Sequence, residues 1–266
     1  MQALTEGPRR STLTFIASRE STESTDFNQL RRVREPVSRA KSGVQGKVAD
    51  VFSERSRHAE SQNELKAFRV LLATAHPDAW QEQPLVLKYG REGKNCRYTP
   101  DILVVWDRHR EVVEIKEDAE AELPENQERF TVIRKLLGDH GYHFRLWKKS
   151  EICAEPRLTN AGLVLRYRSV EVSAVERERI RCAFSTKPEA CLHAFRETPG
   201  ITLQSILRMV LEGTLHVDWW EPLTLASRVS ITPIGRQVWP LPPLYLHGAV
   251  RGRSHVAERT QEGAAC

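Results

Sequence analysis

The sequence predicts an α/β protein: a mixed-sheet layer over residues 58–150, then an α-rich, winged-helix-like unit over 151–232. Three observations carry this reading. Apolar residues recur at three- and four-residue steps near 58–75 and again near 122–138, as one face of a helix requires. Between and after those stretches lie short apolar runs bounded by turn residues, as strands require. After about residue 170 the helical period returns, and two short strand-like runs follow it.

The first helix carries Leu65, Phe68, Leu71, Leu72 and Ala75 on one face and ends at His76-Pro77-Asp78, since proline cannot continue the hydrogen-bond ladder. Strands are expected at Gln83–Tyr89, Arg97–Trp106 and Glu111–Lys116, with turns at 90–93 and 107–110. A second helix at 122–138 shows Phe130, Ile133, Leu136 and Leu137, with Gly138 at its end, and a strand at Tyr142–Lys148 closes the layer. The order helix, three strands, helix, strand makes a mixed sheet. Residues 150–170 read as transitional. Helices are expected at 171–184, 187–197 and 201–212, and strands at 214–219 and 226–232. Helices followed by a small hairpin resemble a winged helix-turn-helix, or else a helical unit that only packs on its neighbours.

The ends differ in composition. Residues 1–57 read as a basic, partly disordered arm, poorly ordered over 1–30, and 233–266 as an irregular tail rich in Pro, Gly and Arg. Within 31–57, eight Lys/Arg (Arg31, Arg32, Arg34, Arg39, Lys41, Lys47, Arg55, Arg57) face three acids (Glu35, Asp50, Glu54). That excess of five equals the net charge of the whole chain, +5, so the arm is the natural phosphate-neutralising element. The five cysteines (Cys96, Cys153, Cys182, Cys191, Cys266) have no regular spacing, which argues against a disulfide framework and for a reducing compartment. Cys182, Cys191 and His193 fit no common zinc pattern. No apolar run reaches membrane-spanning length and no signal peptide is evident, so a soluble, cytoplasmic protein is expected, nucleoid-associated when bound to DNA.

The chemistry concentrates between Tyr98 and Lys116. Side chains alternate along a strand, so Val113 and Ile115 enter the core while Glu114 and Lys116 share the other face. Asp101 opens the neighbouring strand, just after Pro100, and a tight turn joins the two strands, so Asp101 and Glu114 converge. Two converging carboxylates repel unless a cation lies between them. Mg²⁺, a hard ion that prefers oxygen ligands, suits that place, with Mn²⁺ able to substitute. Lys116 is placed to orient the attacking water or to stabilise the transition state. Glu64, beside the apolar stripe of the first helix, completes the shell, with Glu60 as the alternative. Glu-Ile-Lys alone is common on surface strands, where it forms a weak solvated pair. The combination is rarer: Pro-Asp, an apolar strand, a short turn, a second apolar strand ending Glu-x-Lys, and a Glu-bearing helix upstream. It points to a metal-dependent endodeoxyribonuclease with catalytic residues Glu64, Asp101, Glu114 and Lys116.

These residues resemble the PD-(D/E)xK nuclease superfamily, whose members share a restriction-endonuclease-like core. More narrowly, the chain resembles TnsA, the endonuclease subunit of heteromeric transposases. The resemblance runs from about Arg34 to Lys148 through Arg34-Glu35-Pro36-Val37, Glu60-Ser61-Gln62-Asn63-Glu64-Leu65, Glu82-Gln83-Pro84-Leu85, Tyr98-Thr99-Pro100-Asp101 and Glu114-Ile115-Lys116. It implies metal ligands at Glu64, Asp101 and Glu114, and the catalytic lysine at Lys116. It also implies nicking of the 5′ strands at the ends of a mobile element. A DDE transposase, TnsB-like, would cut and join the 3′ ends, and an AAA+ ATPase regulator, TnsC-like, would bind the C-terminal region. Double-stranded DNA at transposon ends is then the substrate. The competing readings are a stand-alone restriction or repair nuclease and a non-catalytic DNA-binding or scaffold protein.

Overall fold

Phe68, Leu71 and Leu72 lie on a helix, α1 (Gln62–Thr74), that starts later than the sequence suggests. Ser61 caps it: its Oγ accepts from the Glu64 N–H at 3.1 Å. The computed structural model describes residues 12–15, 46–50, 55–91, 93–106, 109–236 and 238–239. The expectations for the rest of the basic arm and for the tail past Trp239 lie outside those residues.

Ahead of α1 lies a hairpin, β2 (Gly46–Asp50) paired antiparallel with β3 (Arg55–Ala59). Arg57 corrects the picture of an arm that only meets phosphates. It is buried, its guanidinium donates to Asp50 at 2.9 and 3.1 Å and to Gln81 at 2.8 Å, and it lies over the Trp80 ring. A cation so enclosed holds the hairpin to the sheet. Thr12–Phe15, expected to be poorly ordered, form β1, which pairs antiparallel with residues 85–88.

The main sheet contains β4 (Ala79–Glu82), β7 (Ile102–Trp106), β8 (His109–Lys116) and β9 (His143–Lys148), in that spatial order. The first two pairings are antiparallel and β8–β9 is parallel, so the expected mixed sheet is present. A parallel pair needs a long crossover, which α2 (Asp118–Ala121) and α3 (Pro124–Asp139) supply. The expected strand 97–106 is two strands. β6 (Lys94–Tyr98) pairs with β5 (Leu85–Arg91) in a second sheet, while β7 joins the first. The break falls at Thr99-Pro100, where proline has no N–H to give a ladder.

Alternation divides the apolar residues. Ile102, Val104, Val113 and Ile115 pack with Phe68 and Leu71 of α1, whereas Leu103, Val105 and Val112 pack with Phe130, Ile133 and Leu137 of α3. Each such side chain, fully buried, contributes about 1.5–3 kcal/mol.

Beyond the sheet, the stretch read as transitional is helical: α4 (Lys149–Ile152), α5 (Arg157–Val164) and a 3-10 turn at Leu165–Tyr167. Next come α6 (Ala174–Thr186), β10 (Glu189–Cys191), a 3-10 turn at Leu192–Arg196, α7 (Leu203–Leu211), β11 (His216–Val217) and β12 (Arg228–Ser230). The expected helix 187–197 is therefore a short strand and a 3-10 turn, because Ala190 pairs with Val229. The three strands lie in the order β10-β12-β11, all antiparallel, and Val217 and Val229 share a core with the helices. The last helix, α7, is largely buried. Ile206, Leu207, Val210 and Leu211 of α7 are buried in one core with residues of α1 and α5.

Part of the Pro-rich tail is also anchored. Trp239 is buried against Trp147 and Trp106, with ring centroids 4.8 and 5.6 Å apart, and its Nε1 donates to Glu111 of β8 at 2.7 Å.

Candidate active site

Register brings the two strand carboxylates together. Ile102 of β7 lies opposite Val113 of β8, so one step further Asp101 faces Glu114. Both belong to the sheet face that Leu103 and Val112 present to α3. Lys116, two residues on, shares that face, and its Nζ lies 3.1 Å from Glu114 Oε1.

Each group is fixed by a named neighbour. Asp101 Oδ2 accepts from the Ile115 N–H at 2.6 Å, a bond that ties the start of β7 to β8. The Asp101 carbonyl accepts from the Gln83 N–H at 2.8 Å. Glu114 is 5% exposed, and its Oε2 accepts from the Tyr98 hydroxyl at 2.8 Å. Tyr98 reaches it from the end of β6, on the second sheet. Its ring lies beneath the Arg129 guanidinium of α3.

The electrostatics are unbalanced. Asp101 keeps some exposed surface, yet protein packs closely round its carboxyl group. Burial, then the charges of Glu114 and Glu64, push its pKa well above the usual carboxylate range, outweighing the Ile115 N–H and Lys116. Lys116 is pushed up: burial alone would lower it, but Glu114 and Asp101 outweigh burial and hold the ammonium charged. Tyr98 is raised well above its ordinary value by burial and by Glu114 and Asp101, so it remains a donor.

Glu64 is placed differently from the other three. It stands in the first turn of α1, where Oε2 accepts from the Glu60 N–H at 2.8 Å and Oε1 from the Ser61 hydroxyl at 3.0 Å. It caps its own helix while its charge is felt at Asp101. Among the described residues, no three His, Cys, Asp or Glu side chains stand close enough together to hold a metal ion as they are now oriented. Each of the three carboxylates accepts a hydrogen bond from within the protein.

Sequence reasoning assigned no role to Tyr98, Gln83 or Asn63. Tyr98 and Gln83 stood inside quoted motifs, but only the pairing of β6 with β5 and of β4 with β7 reveals what they touch. Asn63 donates to Glu117 at 2.7 Å, joining α1 to the residue after Lys116, and no sequence pattern signals that contact.

No curated protein matches the chain. Residues 78–149 match the family model described as TnsA-like endonuclease N terminal. The match starts just before β4, runs through β9 and includes Asp101, Glu114 and Lys116, while Glu64 lies ahead of it. With the mixed sheet and the strand-end carboxylates as its frame, the chain carries a TnsA-like endonuclease domain.

Proposed function

We propose that this protein is a divalent-metal-dependent DNA endonuclease that nicks the 5′ strands at transposon ends, acting with a DDE transposase. The observation that carries the reading is the facing of Asp101 and Glu114 across adjacent strands, with Lys116 on Glu114 and with Asp101 pushed up by two neighbouring acids. The donors are all hard oxygens, and a cation would relieve the repulsion between them, so the residues fit Mg²⁺ or Mn²⁺. Asp101, Glu114 and Glu64 would hold the ion. Carboxylate oxygens have more than one acceptor site, so Glu64 can keep its helix-cap bonds as it does so. When bound, the ion supplies charge neutralisation at the phosphate and lowers the pKa of a water molecule.

The remaining work belongs to the protein. Lys116, kept charged, donates to the attacking water or to a non-bridging phosphate oxygen. Tyr98 fixes the Glu114 carboxylate by donating to Oε2, leaving Oε1 toward Lys116. Ile115 fixes Asp101 through its N–H. The helical C-terminal region, with α7 buried, offers other surfaces to an ATPase regulator rather than a helix for reading DNA.

The test is nicking of transposon-end duplex by the purified full chain in Mg²⁺, with and without the transposase of the same element, with strand-specific labels. Cleavage confined to the 5′ strands is expected. Asp101→Ala that cuts as well as wild type, with the fold intact by circular dichroism, would refute the site.

A further inference from the structure

We propose that Gln83 is a further residue of this site, its side-chain carbonyl accepting a hydrogen bond from a water bound with the divalent ion; this rests on the metal-dependent reading above. The register across β4 and β7 ends with Glu82 opposite Ile102. Gln83 comes next, and its N–H holds the Asp101 carbonyl at 2.8 Å. Gln83, Asp101 and Glu114 therefore stand in one row across three neighbouring strands.

Two features set Gln83 apart from an ordinary corner residue. Its φ is 44°, in the left-handed region, although it is not glycine and precedes Pro84, which favours extended backbone. A strained conformation persists only where its surroundings enforce it, and such residues gather at functional sites. Its side chain is also enclosed, with 7% of the residue exposed, and among the described residues Oε1 has no hydrogen-bond partner. A buried acceptor without a donor is costly, and the cost is removed when a ligand brings the donor. The acceptor belongs to the residue whose own N–H holds the Asp101 carbonyl, and water around an ion held by Asp101 has hydrogens to give. The chemistry is that of a neighbour to a metal's own ligands, which orients bound water without itself ligating.

Gln83→Gly separates strain from function, because glycine adopts this φ at ease. In the full-length protein we expect Gln83→Gly to melt at or above the wild-type temperature. Its Mn²⁺ affinity, measured by calorimetry, should nonetheless fall about 10- to 100-fold, with a parallel loss in nicking. Gln83→Asn, which tolerates the left-handed region and keeps an amide, should fall between glycine and wild type. Wild-type Mn²⁺ affinity in Gln83→Gly overturns the inference. So does a loss of affinity that tracks a loss of melting temperature in both variants, since a purely structural corner would behave that way. Failure of the underlying reading shows elsewhere: Asp101→Asn would then bind Mn²⁺ as wild type does.

Discussion

Two clusters of charge sit in this molecule with opposite balance. At the end of β7 and β8, Asp101 and Glu114 share Lys116, and Asp101 is driven up by burial and by the charges of Glu114 and Glu64. In the helical region, Glu212 lies between Arg177, which grips both its oxygens at 2.6 and 2.9 Å, and Arg208 at 2.8 Å. Burial would raise Glu212, but the two guanidiniums hold it below its ordinary value. Carboxylates meet cations in both, the physics is the same, and the outcomes are reversed. A cluster that satisfies its charges serves stability; one that leaves carboxylates in excess is where the ion proposed above would act.

The strongest way to break this contrast is to remove the ammonium. Lys116→Ala should lower nicking per folded molecule about 100- to 1,000-fold, the range for losing one preorganised electrostatic donor, and should also lower the melting temperature, because buried Glu114 loses its cation. Next is the core that the helical region shares with α1. Ile206 is fully buried, and Ile206→Ala should cost about 2–5 kcal/mol in a denaturant titration, with nicking per folded molecule unchanged.

The contrast sharpens with a charge-removing pair. In metal-free buffer Asp101→Asn should raise the melting temperature, because it removes repulsion and an amide oxygen can still accept from Ile115. Glu212→Gln should lower it by the equivalent of about 1–3 kcal/mol, between exposed and buried pair values, since Arg177 is partly exposed. At this chain length each kcal/mol is worth about 2–4 °C, which scanning calorimetry resolves. Equal shifts of the same sign would dissolve the distinction.

The smallest expected effect is in pH. Glu212 has a depressed folded pKa, so its contribution is present above the ordinary carboxylate value of 4.5 and is lost as pH falls through the lower folded value. His216, lowered from 6.5 by burial, is held neutral. The unfolded chain takes up its proton first, so stability declines as pH drops below 6.5 toward the folded value. A melting series should therefore decline in two steps, with the upper one reduced in His216→Phe and the remainder supplied by His109, which burial also lowers from 6.5.

Asp101, Glu114 and Lys116 were legible because strand alternation and a short turn are local rules, and local rules survive folding. The charge of Glu64 at Asp101 could be anticipated from the helix face, but its second duty as a cap could not be told from the stripe alone. β4 is four residues long, too short for a period to show. α5 was hidden by its polar buried residues. The Asn160 side chain bonds the Trp219 and Glu221 carbonyls and the Leu223 N–H, some sixty positions away. Arg57 misled for the same reason, since its partners in β2 and β4 exist only after the chain has folded.

Trp239 gives the molecule an intrinsic optical gauge. Three indoles meet where it docks, one of them bonded to Glu111, and Glu111 lies on the strand that also bears Glu114. Tryptophan emission from that cluster should shift to the red when the C-terminal segment lifts away. Fluorescence could then report, without any label, whether DNA or a partner protein disturbs the back of the strand whose far end holds Glu114.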